Sequence, residues 1–561
     1  MKLPRKTTHA LLAALIFVSV ILRYPRSQHE VGVDSFFVHN LALALVSDGH
    51  AEWILSPFSY FGWYPLSYPS AGPFFLGSAS SLSGLNLESS ILVIALLLGP
   101  IGILGAFMMA REFRSDPVFA LVVAFLYGLA PRFLAFTMWS ASTRSLFMAL
   151  LPIFMWALLV NYRRRSTSRL IVLTISVVML AATHRLAALL SVVLVAFLVA
   201  VIALVILRIL RIHFPRIVLH NSFRRATPHL ALASLVGIAG VMLISTDVLQ
   251  EYTYGELASG AETHIQLLNL FVSIARSGGV AFPLMLLGLV VVTRQRNKTI
   301  HEPFLALAFL GLIPTLLLRQ YAGFYILPLL VLLGGLGFRG LLDIAKRRPR
   351  LVPVTGVALT LLVGGFSVYV LGVEIARSTE IDWETYASSV YAKRLASRGT
   401  YVSNDGLTGI QMAAISGVRV LPVGGAGTTF QSPELLAFGF YTADEVNAQL
   451  VRVSIQELTI ESDSLWIAPD IQAELDWVLI LQSPNGEISR RLQVRYEPTF
   501  LLELKAAAGQ FLAYDNTYCS DLGLWAHAAS YRIYENGRES LWWLHAPGVV
   551  VPPSGISGRC P

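Results

Sequence analysis

"GVDSFFVHNLALALVSDGHAEW", residues 32–53, continues to "FGWYP" at 61–65 and follows directly on the first long apolar run of the chain. Connections between neighbouring helices usually need only a few residues, yet this outward segment, residues 24–87, is far longer and rich in aromatics. Phe37, Leu41 and Leu45 recur at helical spacing, with His39, Asn40, Ser47 and Asp48 elsewhere, and Gly49 is placed to end the helix as a C-terminal cap. The pattern predicts a helix lying along a membrane surface, with Asp34 at its start, where the helix dipole favours a carboxylate. Two readings of Asp34 stand side by side: an N-cap, for which Asp is a preferred residue, or a group with chemistry to do. A cap is also held rigidly, so one residue can serve both.

The surroundings say what kind of chain this is. Of 561 residues 55% are hydrophobic and 14% charged, against about a quarter charged in soluble domains. Apolar runs near the roughly 20 residues needed to cross a bilayer predict eleven helical spans, at about 9–23, 88–110, 117–131, 145–160, 169–183, 186–208, 230–249, 278–293, 303–318, 323–342 and 351–374. The opening "MKLPRKTTHALLAALIFVSVILRY" has the basic-then-apolar order of a signal peptide. No small-residue cleavage site follows and ten more spans do, so it reads as an uncleaved first span.

Alternate connections carry 21 Lys and Arg, and the opposite ones carry 7. That asymmetry predicts a multi-pass protein of the cytoplasmic membrane, with its N-terminus in the cytoplasm and its C-terminal part outside. Net charge is about +15 over residues 1–375 and −7 over 376–561. The basic balance therefore follows topology rather than nucleic-acid binding. Ten acids before residue 376 lie near or beyond the outer face, Asp34 among them; any chemistry is expected there.

Residues 376–561 are long enough for one independent domain. "GTYVSNDGLTGIQMAAISGVRVLPVGG" reads as strand, helix, strand, and "YRIYENGRESLWWLH" has Asn-Gly between alternating apolar residues, a hairpin signal. "VLILQSPNGEISRRLQV" carries the same signal, and "GGAG" at 424–427 reads as a plain loop. The two cysteines, Cys519 and Cys560, both fall in this exported part, where a disulfide is chemically allowed. The expected fold class is an α-helical polytopic membrane domain, residues 1–375, followed by an extracytoplasmic mixed α/β domain.

An aspartate, two aromatics, a surface helix ending in glycine, then Trp and "WYP" resembles the first outer loop of GT-C membrane glycosyltransferases, above all the catalytic subunit of oligosaccharyltransferase. The matching residues are Asp34, Phe36, Phe37, Gly49, Trp53, Trp63, Tyr64, Pro65 and Leu66. The resemblance continues through "LLLGPIGILGAFMMAREF", "AFLYGLAPRFLAF" and "RSLFMALLPIFMWAL" and covers about the first 160 residues. It implies transfer of a sugar from a polyprenyl-phosphate or polyprenyl-diphosphate donor to a protein, glycan or lipid acceptor at the outer face. Asp34 would then be the catalytic carboxylate, accepting a hydrogen bond from the acceptor. It would bind a divalent cation, Mg or Mn, only if the enzyme is metal-dependent.

Departures from the family pattern matter as much. Where oligosaccharyltransferases carry a second acidic motif, this chain has "MWSASTRS", residues 138–145, without a carboxylate; the WWDYG motif is absent, and "SLWWLHAPG" shares only its Trp pair. One carboxylate is a poor cage for a cation, so a metal-independent transferase with arginines on the donor phosphate suits the sequence better.

"RQYAGFYILP" resembles the family's late arginine–proline span, which makes Arg319 the first choice for that phosphate and Arg144 the second, with His184 and Arg185 in the turn "THRL" as further candidates. Arginines at span ends also snorkel to headgroups without any catalytic role. Acceptor or sugar-site candidates are His39, Trp63 and Tyr64 in the first loop and Glu256, Glu262 and His264 in "DVLQEYTYGELASGAETHIQ". "TYGE" has the T-x-x-E shape of the family's outer-loop motif, but a helix-start capping box gives the same letters. The competing functional class is a transporter or lipid flippase. Such proteins keep charges inside their spans and often show paired halves, whereas the charges here sit at span ends.

Overall fold

A computed structural model describes residues 3–49, 71–164, 166–184, 187, 189–209, 274, 277–294, 299–318, 325–345, 351–377, 381–395, 400–403, 406–422, 429–431, 491–493, 511–515, 530–536 and 539–544. The chain divides into two compact units, residues 1–26 with 93–378, and residues 27–92 with 379–561. The long segment quoted at the outset therefore belongs to the same unit as the C-terminal part.

The first unit is helical throughout its described residues. It comprises α1 (Arg5–Arg23), most of α4 (Leu87–Phe113), α5 (Pro117–Gly128), the short α6 (Pro131–Phe136), α7 (Thr143–Arg163), α8 (Thr167–Thr183), α9 (Leu190–Ile209), α10 (Ala281–Arg294), α11 (His301–Leu318), α12 (Leu327–Ala345) and α13 (Leu351–Arg377). Helices thus occupy ten of the eleven expected spans; residues 230–249 lie outside the described residues. Among the described residues five helices are long and apolar enough to cross a membrane: Arg5–Arg23, Leu87–Phe113, Thr143–Arg163, Leu327–Ala345 and, within α13, Val352–Tyr369. The protein is a multi-pass membrane protein.

α12 is the axis of this unit, with every residue from Leu327 to Phe338 buried. A helix apolar all round belongs inside a bundle, and its glycines let neighbours come close. A Cβ on Gly337 would lie 1.9 Å from the carbonyl oxygen of Leu284, and one on Gly288 of α10 would lie 1.9 Å from that of Leu333. On another face of α12, a Cβ on Gly335 would meet Val123 of α5 at 2.6 Å.

Polar ties hold the basic ends of these helices. Asp116 caps α5, accepting from the Val118 amide at 3.1 Å, and pairs with Arg339 of α12. Glu302 accepts from the amide and hydroxyl of Thr299 at 2.8 and 2.6 Å, a capping box for α11. It also lies 3.7 Å from Arg114. Burial, and secondarily the nearby Arg339, lower the Arg114 pKa, while Glu302 and Asp116 oppose that shift.

Among its described residues the second unit gathers α2 (Val33–Asp48), α3 (Ala71–Ser83), α14 (Trp383–Leu395), α15 (Gly406–Ser416) and seven strands, β1 (Thr400–Ser403), β2 (Arg419–Pro422), β3 (Thr429–Gln431), β4 (Arg491–Gln493), β5 (Phe511–Asp515), β6 (Ser530–Glu535) and β7 (Glu539–Leu544). β1, α15 and β2 form a parallel β-α-β step, with Tyr401 opposite Val420. β5 joins β1 in parallel, and the β6–β7 pair adds antiparallel, giving the order β2-β1-β5-β7-β6. β3 and β4 pair separately. Cys519, Cys560, residues 424–427 and most of "VLILQSPNGEISRRLQV" fall outside the described residues.

Candidate functional site

α2 begins and ends on glycine. Gly32, at φ 93°, is its N-cap, and Gly49, at φ 71°, is its C-cap, with its amide bonded to the Leu45 carbonyl at 3.2 Å. Both conformations lie in the region that side-chain-bearing residues avoid. Asp34 is therefore not the cap: it stands in the first helical turn, where its carboxylate faces the positive end of the helix dipole, and it is exposed.

Nor does α2 present the one-sided apolar stripe that its sequence spacing suggests. Phe36 is fully buried in a core with Ile381, Ala392, Ile410, Met412 and Ala413, while Leu41 packs with Phe37 and Leu45 on another side. His39 and Asn40 are buried as well, and α2 packs on both α3 and α15. Protein covers more than one of its faces because its aromatic pair is shared with the core of α14 and α15.

The turn at Gly32 folds the preceding segment back over the first turns of the helix. Glu30 becomes completely buried, with Ser35 donating its hydroxyl to Oε2 and His39 Nδ1 paired with Oε1. Ser35 and His39 are four residues apart and share one helix face, so a single carboxylate ties both. A second carboxylate continues the network: Glu88 Oε1 lies 2.9 Å from His29 Nδ1 and accepts from the Glu30 amide at 3.4 Å. The His29 ring stacks on Tyr386 of α14, centroids 4.0 Å apart at 24°. A buried carboxylate is tolerated when its oxygens are hydrogen-bonded or paired, and this one braces the turn that carries Asp34. Glu30 and Glu88 were missed as site residues from sequence; the readable signal was an acid two residues before a glycine, with Ser and His at helical spacing beyond it.

In the membrane unit the stretch "MWSASTRS" is the connection from α6 into α7. Ser142 caps α7, accepting from the Arg144 amide at 3.3 Å. The Arg144 guanidinium lies 5.1 Å from the centre of the Phe136 ring, and that of Arg132 lies 6.0 Å from the same ring. Arg132 also donates to the Ser277 hydroxyl at 3.1 Å. Two half-buried guanidiniums thus contact one aromatic ring, a cation–π arrangement. Behind them the chain is pinned by Arg23, only 1% exposed. It donates to the Thr137 hydroxyl at 2.7 Å, the Ser19 hydroxyl at 2.5 Å and the Gly128 carbonyl at 3.3 Å, with its guanidinium 4.9 Å from the Phe133 ring. Room for it comes from Gly99, where a Cβ would lie 2.7 Å from Arg23 Nε.

His184 caps the C-terminal end of α8 in extended geometry, is buried, and meets Phe147 edge-on at 5.8 Å. Phe147 also packs against Tyr325, centroids 4.8 Å apart. Phe147 lies one helical turn beyond Arg144 on α7, so the first turns of that helix carry Arg144 and the aromatic partner of His184. The remaining candidates Arg319, Arg185, Trp63, Tyr64, Glu256, Glu262 and His264 lie outside the described residues. Among the described residues no three His, Cys, Asp or Glu side chains gather as a metal ion would require.

No protein-family model matches the sequence, and no curated protein sequence matches it. Solved structures do. The chain superposes on the oligosaccharyltransferase of Archaeoglobus fulgidus in the apo form with a TM-score of 0.52 at 12% identity, covering 74% of this chain and 64% of that one. The archaeal oligosaccharyltransferase AglB of the same organism, solved with an inhibitory peptide and a dolichol-phosphate, gives 0.50 at 12% identity over 74% and 64%. ArnT from Cupriavidus metallidurans, bound to undecaprenyl phosphate, gives 0.50 at 13% identity and covers 96% and 97%. The chain thus spans under two thirds of the oligosaccharyltransferase but nearly the full length of ArnT. It has the fold of the GT-C membrane glycosyltransferases, related to that of oligosaccharyltransferase.

Proposed function

We propose that the protein is a GT-C-type glycosyltransferase that moves a sugar from a polyprenyl-phosphate-linked or polyprenyl-diphosphate-linked donor to a protein, glycan or lipid acceptor at the outer face of the cytoplasmic membrane. The observation that carries the reading is Asp34. In a chain with this fold, one exposed carboxylate stands on the first turn of a helix and is braced from behind by the buried Glu30–Ser35–His39 network. Asp34 accepts the hydrogen bond of the acceptor nucleophile and takes its proton as the bond to the anomeric carbon forms. The departing phosphate needs compensating positive charge, which Arg144 and Arg319 supply by planar, bidentate donation. His184 and Arg185 are further donor-side groups. Trp63 and Tyr64 shape the sugar or acceptor site, along with Glu256, Glu262 and His264, while the buried His39 acts on it through its pairing with Glu30.

The overall organisation we propose has eleven spans, a cytoplasmic N-terminus and an extracytoplasmic α/β domain at residues 376–561. A divalent cation, Mg or Mn, would be held at Asp34 only if the enzyme is metal-dependent. The acid-free "MWSASTRS" stretch favours the version in which Asp34 works as a base without it. The test supplies labelled polyprenyl-phosphate and polyprenyl-diphosphate sugars to the purified protein with candidate acceptors. Turnover of either donor supports the reading. No turnover of any lipid-linked sugar, alongside solute or lipid movement in proteoliposomes, would replace it with a transporter or flippase.

A further inference from the structure

The connection from α7 to α8 lies at the end of the membrane unit opposite "MWSASTRS", with no role in the proposed transfer. Its sequence, "NYRRRSTSR" at residues 161–169, holds four arginines and no acid. Beside it the structure has a cavity of about 540 Å³, formed where α7, α8 and α9 meet. Asn161, Ser166 and Thr167 supply its polar wall, and Leu158, Leu170 and Phe197 supply its apolar one. Tyr162 closes edge-on against Phe197, centroids 5.5 Å apart at 89°, which keeps the apolar wall rigid.

The lining residues interleave in sequence with the arginines, whose roles differ. Arg163 reaches Glu112 at 3.4 Å, so its charge is partly offset. Arg169 donates to the Arg164 carbonyl at 2.5 Å and receives the Ser166 cap on its own amide, which fixes the bend. Arg164 is exposed at the end of α7. Beyond the cavity, the outer faces of α8 and α9 expose Leu170, Ile171, Ile175, Val195 and Leu198. Such apolar surface on a membrane helix is lipid-facing. The cavity therefore has hydroxyl and amide donors on one wall, with the arginines as their neighbours in sequence, and hydrocarbon-facing helix surface on the other. Neither a free anion nor a neutral apolar molecule matches both walls.

We propose that this cavity binds one acidic glycerophospholipid, with its phosphate against Arg164, Arg169, Asn161 and Thr167 and one acyl chain along Leu170 and Phe197. Basic pockets between membrane helices on the positively charged side recognise such headgroups. The site is independent of the glycosyl-transfer reading, because it is built from different residues and needs no donor sugar.

Native mass spectrometry of the full-length protein with phosphatidylglycerol or phosphatidylcholine tests it. One phosphatidylglycerol should be retained in preference to phosphatidylcholine. Replacing both Arg164→Gln and Arg169→Gln should weaken its apparent affinity on the order of tenfold or more. Thr167→Trp, at an exposed position, leaves the charge intact and fills the cavity, and it should weaken binding comparably. Arg5→Gln, on the first turn of α1 and not part of the cavity lining, should bind as the unaltered protein does. The proposal fails if Arg5→Gln loses as much as the double variant, which would mean diffuse charge only. It fails equally if Thr167→Trp binds normally, if both lipids are retained alike, or if millimolar inorganic phosphate displaces the lipid. Thermal melts of each variant identify any loss that comes from misfolding; Ser166→Leu then serves as a second cavity-altering variant with the same expected loss.

Discussion

Gly337→Ala should destabilise the membrane unit although alanine is the better helix former. The methyl group would sit 1.9 Å from the Leu284 carbonyl oxygen and 2.9 Å from the Gly288 amide nitrogen. Ordinary carbon–oxygen contact across packed helices is about 3.3 Å, so α10 and α12 must separate by roughly 1.4 Å at that point. The opposing atoms are backbone, held in their own helical hydrogen bonds, and α12 is buried all round from Leu327 to Phe338, so no flexible side chain can yield. Overpacking of this kind costs about 1–3 kcal/mol, and an overlap this deep belongs at or above the upper end. Helix propensity returns about 1 kcal/mol.

The net effect is a loss of about 2 kcal/mol, read as a melting temperature lowered by several degrees. The assay is intrinsic tryptophan fluorescence on heating in detergent, with size-exclusion profiles before and after. Gly364→Ala on α13, where a Cβ meets nothing within 4 Å, is the control and should melt at or slightly above the unaltered protein. Gly288→Ala should resemble Gly337→Ala, and the double variant should lose less than the sum, because the first methyl already parts the helices. A Gly337→Ala protein as stable as Gly364→Ala would refute the close crossing of α10 and α12.

Three further outcomes follow from other parts of the structure. Glu302→Gln should lower the melting temperature by an amount equivalent to about 1–3 kcal/mol, since it weakens the capping box at Thr299 and removes the anion opposite the partly buried Arg114. Glu30→Gln should leave the buried pairing with His39 and Ser35 weakened; transfer should fall about tenfold or more, and proteolysis within residues 27–49 should rise. Arg144→Gln should raise the KM for the lipid-linked donor about tenfold or more with a smaller effect on kcat, because a charge-assisted phosphate contact acts in the ground state too. An equal fall in kcat would place Arg144 on the transition state instead.

Much of the helical layout was legible because long apolar runs leave the backbone no alternative in lipid, and the spans placed at 88–110, 145–160 and 351–374 coincide with α4, α7 and α13. Gly49 as a C-cap was legible for a local reason, its tolerance of positive φ. What sequence could not show is the surroundings of α2. Helical spacing records which residues avoid water, not what covers them, so Phe36 was invisible as part of a core built with residues more than three hundred positions later. Of the two readings of Asp34, the cap fails for a similar reason: Gly32 takes that position through a backbone angle that no neighbour announces. Arg23 illustrates the same limit. Its place at the end of the first span says nothing of its surroundings, yet Ser19, Thr137 and the space left at Gly99 bring it fully inside.

The central claim is that Asp34 performs chemistry rather than holding its helix. The most direct measurement is single-turnover transfer from a labelled polyprenyl-linked sugar by Asp34→Asn, compared with the unaltered protein at matched folding, together with retention of unlabelled polyprenyl phosphate. Asparagine is nearly isosteric, and Gly32 already caps α2, so the loss of stability should be no more than the helix-dipole contribution of about 0.3–1 kcal/mol, and the lipid phosphate should still bind. Loss of the proton-accepting group should slow transfer by about 10²-fold or more. Transfer by Asp34→Asn at the unaltered rate would contradict the account.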